Sequence, residues 1–251
     1  MPQYVYKLID EQKTKLELPD AHEELMPGVY WGAVDQIFTP AFWAGQYWLS
    51  PYLTTGYGQK FGETLKEEVV ACLLGGYGVS SEVAFAAFQL LKSEGLFSMP
   101  SPSTRDILKI LSIPMVINGR QVHYRFPKQK SEYICDFLQS SIELRLFDMS
   151  HLQFRSWLLQ FKGIGPKIAS WITRNWFNSD QVAILDIHIY RAGLLAGIFP
   201  ENVSVSQYYF KLEDRFLEFA SCLGIKPSLL DILIWSQMKL AGRFPLTFLK
   251  S

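Results

Sequence analysis

Cysteine is scarce in this chain: Cys72, Cys135 and Cys222 are the only three among 251 residues. Scattered and odd in number, they exclude a disulfide framework and a structural zinc site, and each reads as a small buried hydrophobe in a reducing compartment. Long apolar runs are missing too, since no segment reaches the ~20 apolar residues that a bilayer-spanning helix takes. Met1-Pro2-Gln3 opens a polar, mixed-charge stretch instead of a charged-then-apolar signal. No membrane partner is expected, and the location reads as cytoplasmic, or nuclear in a eukaryote. Charge of one sign is also lacking, with 24 Lys and Arg against 24 Asp and Glu. That balance argues against the uniformly basic surface of many nucleic-acid binders. Low-complexity tracts and repeats at solenoid spacing are absent.

A hydrophobic content of 49% and an aromatic content of 15% are enough to build a folded core, either one large domain or a compact pair. The charges are unevenly distributed. Arg120, Arg125, Lys128, Lys130, Lys162, Lys167, Arg174 and Arg191 gather in the middle, while Glu63, Glu67, Glu68, Glu213, Asp214 and Glu218 lie to either side. This pattern predicts a basic face on a neutral body, with salt-sensitive affinity for a polyanion.

Residues 1–62 read as a mixed α/β region packed on the core. Tyr4-Val5-Tyr6 alternates as a strand does, prolines punctuate the segment, and Thr39-Pro40 starts a helix. Residues 63–251 read as the helical core. Thr64-Leu65-Lys66-Glu67 is a capping box for a helix to about Leu74. Helices follow from Ser80/Ser81 to near Gly95, from Ser103 to Leu111, and near 128–142 and 150–160. Others are expected after Pro166, after Asp186, and near 206–222 and 228–241. Asn118-Gly119, between short apolar runs, predicts a β-hairpin with a type I′ turn.

The most informative stretch is Leu158-Leu159-Gln160-Phe161-Lys162-Gly163-Ile164-Gly165-Pro166-Lys167-Ile168-Ala169, followed by Leu185-Asp186-Ile187-His188. A Gly-x-Gly turn lets backbone amides approach a phosphate, and the helix that follows directs its positive end at it. Lys167 opens that helix. The helix's positive end disfavours a second positive charge there, so an amine nucleophile is one reading and a phosphate-binding surface lysine the other. Asp186, nineteen residues on, reads either as a carboxylate partner of that amine or as a plain helix N-cap.

These residues resemble the helix-hairpin-helix/Gly-Pro-Asp superfamily of DNA glycosylases, whose pattern is roughly L-P-G-V-G-x-K-x-A and then V-D-x-H. The lysine–aspartate spacing and the histidine two residues further on are most similar to the 8-oxoguanine DNA glycosylase branch. Lys162 stands where the family has a proline and adds a candidate phosphate contact. The resemblance implies a mainly α fold of the HhH-GPD type. It implies base flipping and excision from double-stranded DNA containing a modified base, with Lys167 forming a Schiff base and Asp186 stabilising charge on the sugar. Strand cleavage by β-elimination would follow.

In the same resemblance, Gly163, Gly165, Lys167 and Ile168 hold the DNA backbone through their amides, and His188 faces a phosphate. Carbonyls of Leu159, Phe161 and Ile164 hold a monovalent cation. Tyr77, in the loop Gly75–Val79, is the candidate wedge that fills the hole left by the flipped base. The segment with Lys128 and Lys130 supplies further contacts. Asp231 or Gln237 bonds the base edge, while Trp235 or Met238 stacks on it. Some relatives carry a four-cysteine iron–sulfur cluster after the aspartate. Only Cys222 lies there, so no cluster and no required cofactor are expected, and a monomer is the working expectation. The glycine-rich wedge loop also leaves open a bulkier target, such as a hypermodified pyrimidine of invading DNA. A non-catalytic module that only holds DNA is the remaining reading.

Overall fold

Short-range capping chemistry sets most of the helix starts. In the computed structural model, which describes residues 1–9, 11–50, 60–76, 78–140 and 149–249, Thr39 Oγ1 accepts from Phe42 N–H and opens α1 (Pro40–Leu49), with Pro40 in its first position. Thr64 does the same for α2 (Leu65–Leu74). The reciprocal half of that expected capping box differs, because the Glu67 carboxylate accepts from Glu63 N–H at 2.7 Å and not from Thr64 N–H. Ser80 caps α3 (Ser81–Ser93). Ser103, with Asp106 answering it, caps α4 (Thr104–Leu111). Each such cap contributes about 1 kcal/mol.

Three two-stranded antiparallel sheets are formed among the described residues. β1 (Gln3–Ile9) pairs with β2 (Gln12–Leu18), and β3 (Glu24–Met26) pairs with β4 (Val29–Tyr30). β5 (Met115–Ile117) pairs with β6 (Arg120–Val122) across Asn118 and Gly119, both at positive φ as the type I′ turn demands. The remaining helices are α5 (Pro127–Gln139), α6 (His151–Leu158), α7 (Pro166–Phe177), α8 (Ile187–Leu195), α9 (Val205–Cys222) and α10 (Pro227–Ala241). The fold is mainly α. No helix among the described residues is long and apolar enough to cross a membrane.

By packing, the chain divides into two compact units: Gln59–Ser179, and Met1–Gly58 together with Asp180–Ser251. The contiguous unit is built around α2, whose Val69, Val70, Cys72, Leu73 and Leu74 are all fully buried. Phe88, Ile107, Ile134, Phe137, Phe154 and Ile172 from the surrounding helices complete its core. The discontinuous unit packs Trp43 of α1 with Ile189, Phe216, Phe219, Leu230 and Ile234 of α8, α9 and α10. Cys72 and Cys135 are buried as expected of them. Cys222 is exposed, because it falls at the end of α9 beyond that helix's apolar face.

Candidate active site

The turn between α6 and α7 is anchored from beneath. Leu158 and Ile164 are buried, and the Phe161 ring packs edge-on to Phe137 and Trp157, with centroids 5.1 and 4.9 Å away. Gly163 has φ +81°, and a Cβ there would lie 2.2 Å from the Tyr133 ring, so both backbone and space demand glycine. Gly165 is different. Its backbone is extended, and nothing lies within 4 Å of where a Cβ would stand. As the residue preceding α7 it brings no side chain to cap the helix, so the Lys167 and Ile168 amides are left for an incoming anion.

Lys167 is the second residue of α7 and is partly buried. Lys162 is exposed and pairs with Asp136 at 3.4 Å, an ion pair of little energetic weight. The expected cation ligands, the carbonyls of Leu159, Phe161 and Ile164, lie in this turn, where Phe161 C=O also accepts from Ile164 N–H at 3.2 Å. Three neutral oxygens suit a singly charged ion better than a divalent one, which draws carboxylates.

Lys128 is exposed in the first turn of α5. Lys130, two residues later, corrects the sequence expectation. It is only 8% exposed, and its ammonium donates to the carbonyls of Leu73 and Gly75 inside the unit instead of reaching out to a phosphate. Burial first, and then the positive charge of Lys167, lower its pKa from 10.5 to about 8. Nearby, Glu68 is fully buried and accepts from the backbone amides of Phe61 and Gly62 and from Asn175 Nδ2 at 2.8 Å. Burial, and next the adjacent Glu68, push the Cys72 thiol well up, which makes it an inert core group. Tyr77 lies outside the described residues.

In the discontinuous unit, Asp186 caps α8. Its Oδ1 accepts from His188 N–H at 2.8 Å and Ile189 N–H at 3.0 Å, so both cap bonds fall on one oxygen and Oδ2 stays outside the cap. The buried run Val182–Leu185 that delivers it is pinned by side chains from α9 and α10. Glu213 accepts from Ala183 N–H, and Tyr209 Oη donates to Ala183 C=O and accepts from Leu185 N–H. Asp231 accepts from Ile184 N–H. Asp231, 4% exposed, therefore holds the approach to Asp186, whereas the sequence reading had it recognise a base.

Met238, 1% exposed, packs in the core where a stacking face was expected, and Gln237 Nε2 donates to Gln46 Oε1 of α1. Trp235 keeps a partly exposed ring, and His188 stands edge-on to it at 6.4 Å. His188, expected at a phosphate, and Trp235, expected in the base pocket, are thus brought together. Glu213 and Tyr209 were missed by sequence reasoning. Their signal was a carboxylate sharing the apolar face of α9 with Tyr209, Leu212 and Phe216.

Comparison with known proteins bears on this arrangement. A profile of the 8-oxoguanine DNA glycosylase family matches residues 57–225. An 8-oxoguanine DNA glycosylase/AP lyase of Metallosphaera sedula is 34% identical over 116 residues, 45% of this chain. The match takes in 57% of that protein, so the chain spans little more than half the length of this curated relative. The crystal structure of the Thermotoga maritima 8-oxoguanine DNA glycosylase superposes with a TM-score of 0.54 at 24% identity, over 80% of this chain and 88% of that one. The Methanocaldococcus jannaschii 8-oxoguanine glycosylase/lyase, in complex with a 15mer DNA containing 8-oxoguanine, gives 0.52 at 22% identity over 78% and 88%. These likenesses show a shared fold.

Proposed function

Because the chain belongs to the 8-oxoguanine DNA glycosylase family, we propose that it excises 8-oxoguanine from double-stranded DNA and then cuts the abasic strand. The observation that carries this reading is Lys167 itself, an amine in the first turn of a helix whose N-terminal amides no side chain caps, directly behind the Gly163–Gly165 turn. A phosphate held at those amides brings the neighbouring sugar to the amine. The neutral Lys167 amine attacks C1′ of the target nucleotide. The bond from C1′ to the base breaks, and its electron pair leaves with the base, which takes up a proton. Loss of the amine proton and opening of the sugar ring give the Schiff base. Removal of a C2′ proton then expels the 3′ phosphate.

The Asp186 side chain offsets the positive charge that develops on the sugar. His188 contacts a flanking phosphate and Trp235 offers a stacking face to the base. Tyr77 serves as the wedge, and Lys128 and Lys162 add outer phosphate contacts. The carbonyls of Leu159, Phe161 and Ile164 would hold a monovalent cation, which when bound adds positive charge beside a DNA phosphate.

Borohydride trapping on duplexes, each carrying one candidate base, tests the reading. The native chain is expected to form a covalent adduct and cleave the 8-oxoguanine strand, and Lys167→Gln to form none. Release of the base without any adduct would overturn the lysine mechanism. Failure to cut or trap any duplex, abasic DNA included, would leave a DNA-holding module.

A further inference from the structure

Helix α2 ends without the backbone cap that many helices use. Gly75, which follows its last residue, is extended (φ −73°, ψ 178°) and not left-handed, so the chain leaves the helix straight and the last carbonyls need partners from elsewhere. Gly75 N–H takes the Cys72 carbonyl. The next three carbonyls in succession are taken by side chains from one neighbouring segment. Lys130 Nζ donates to Leu73 and Gly75, and Tyr124 Oη donates to Leu74 at 2.6 Å. Arg125 Nη1 reaches the Gly78 carbonyl, further along the same loop, at 3.4 Å.

Both principal donors are buried, and a buried ammonium is tolerated only where its hydrogen bonds are made. A Cβ on Gly75 would lie 3.0 Å from the Trp171 ring, so the loop departs from α2 against α7, one turn beyond Lys167. We propose that Lys130, assisted by Tyr124, is a positioning residue: it fixes the exit of the 75–79 loop against the helix that carries Lys167, and so sets how that loop meets an extruded nucleotide. The inference rests on the reading of the chain as a base-flipping glycosylase.

Two readouts test it separately. Amide exchange at Gly75 and Val79, whose N–H groups are held by the Cys72 and Gly76 carbonyls, reports the clamp whether or not the protein is a glycosylase. Lys130→Met keeps the apolar stem and removes the donors, and it is expected to speed that exchange by about tenfold or more, through loss of the charge-assisted bonds to Leu73 and Gly75. Tyr124→Phe should do so less, and Lys130→Arg should restore part of the protection. The second readout is 2-aminopurine fluorescence beside 8-oxoguanine in a duplex. Extrusion and excision should fall about tenfold in Lys130→Met while trapping on a pre-formed abasic site falls far less. Unchanged exchange in Lys130→Met and in the combined Lys130→Met/Tyr124→Phe variant overturns the clamp. Faster exchange with excision and trapping reduced in parallel overturns the positioning role and leaves a purely structural one. If the native chain extrudes and excises nothing, the glycosylase reading fails, and the role in meeting a nucleotide fails with it. The exchange arm then still decides whether Lys130 holds the loop.

Discussion

Gly163 and Gly165 are two residues apart and do opposite things. Gly163 serves the protein, because its left-handed backbone and the Tyr133 ring leave no room for a methyl group. Gly165 has open space around it and serves whatever approaches the start of α7. Gly163→Ala is therefore expected to cost roughly 1–3 kcal/mol in chemical denaturation through strain and overpacking. Gly165→Ala should leave stability within about 0.5 kcal/mol while weakening binding of lesion-bearing duplex, as read by fluorescence anisotropy. The reverse pattern would mean that the turn does not present its amides to DNA. Lys162 and Lys130 form a second contrasting pair. The first is exposed on a weak ion pair, and the second is turned inward, although as letters in the sequence both are simply lysines.

At the scale of elements, the capping signals were legible because a cap depends on three or four consecutive residues. Thr39, Ser80, Ser103 and Asp186 open their helices where the sequence places them, and Asn118-Gly119 makes its turn. The burial of Lys130 was not legible. It follows from the missing cap of α2, more than fifty residues earlier, and no local pattern announces that deficit. Asp231 was misread for the same kind of reason, since its partner Ile184 belongs to a buried irregular run that carries no periodic signature.

Asp186 joins an element's start to a chemical role, and the two can be separated. Asparagine caps a helix about as well as aspartate, so Asp186→Asn should hold stability within about 0.5 kcal/mol, whereas Asp186→Ala should lose about 1 kcal/mol. If the carboxylate stabilises charge on the sugar, both variants should slow single-turnover excision on the order of 100-fold. Full activity in Asp186→Asn would reduce the residue to its capping role.

For the molecule as a whole, the buried ammonium of Lys130 leaves a mark on stability against pH. Its folded pKa of about 8 lies below the ordinary 10.5, so over that interval the unfolded chain binds more protons than the folded one. Stability from this group therefore rises as pH climbs from about 8 to 10.5, and it is lost as pH falls through 8. Urea midpoints of the native chain and Lys130→Met, compared across that interval, should move in the native chain's favour as pH increases. A difference that does not vary with pH would mean that the ammonium is not held away from water.

The division into a contiguous unit and a split one also has a consequence for how the protein is made. Residues 59–179 can settle as soon as they leave the ribosome, because every partner in that unit is already present. The first 58 residues pack partly among themselves, but the partners of Trp43 in the larger core of their unit include residues from Ala183 onward. At ~5–20 residues per second they wait on the order of ten seconds with the face that Trp43 fills still open. Nascent chains stalled before the final helices should thus be the ones that chaperones hold, and release should coincide with synthesis of α10.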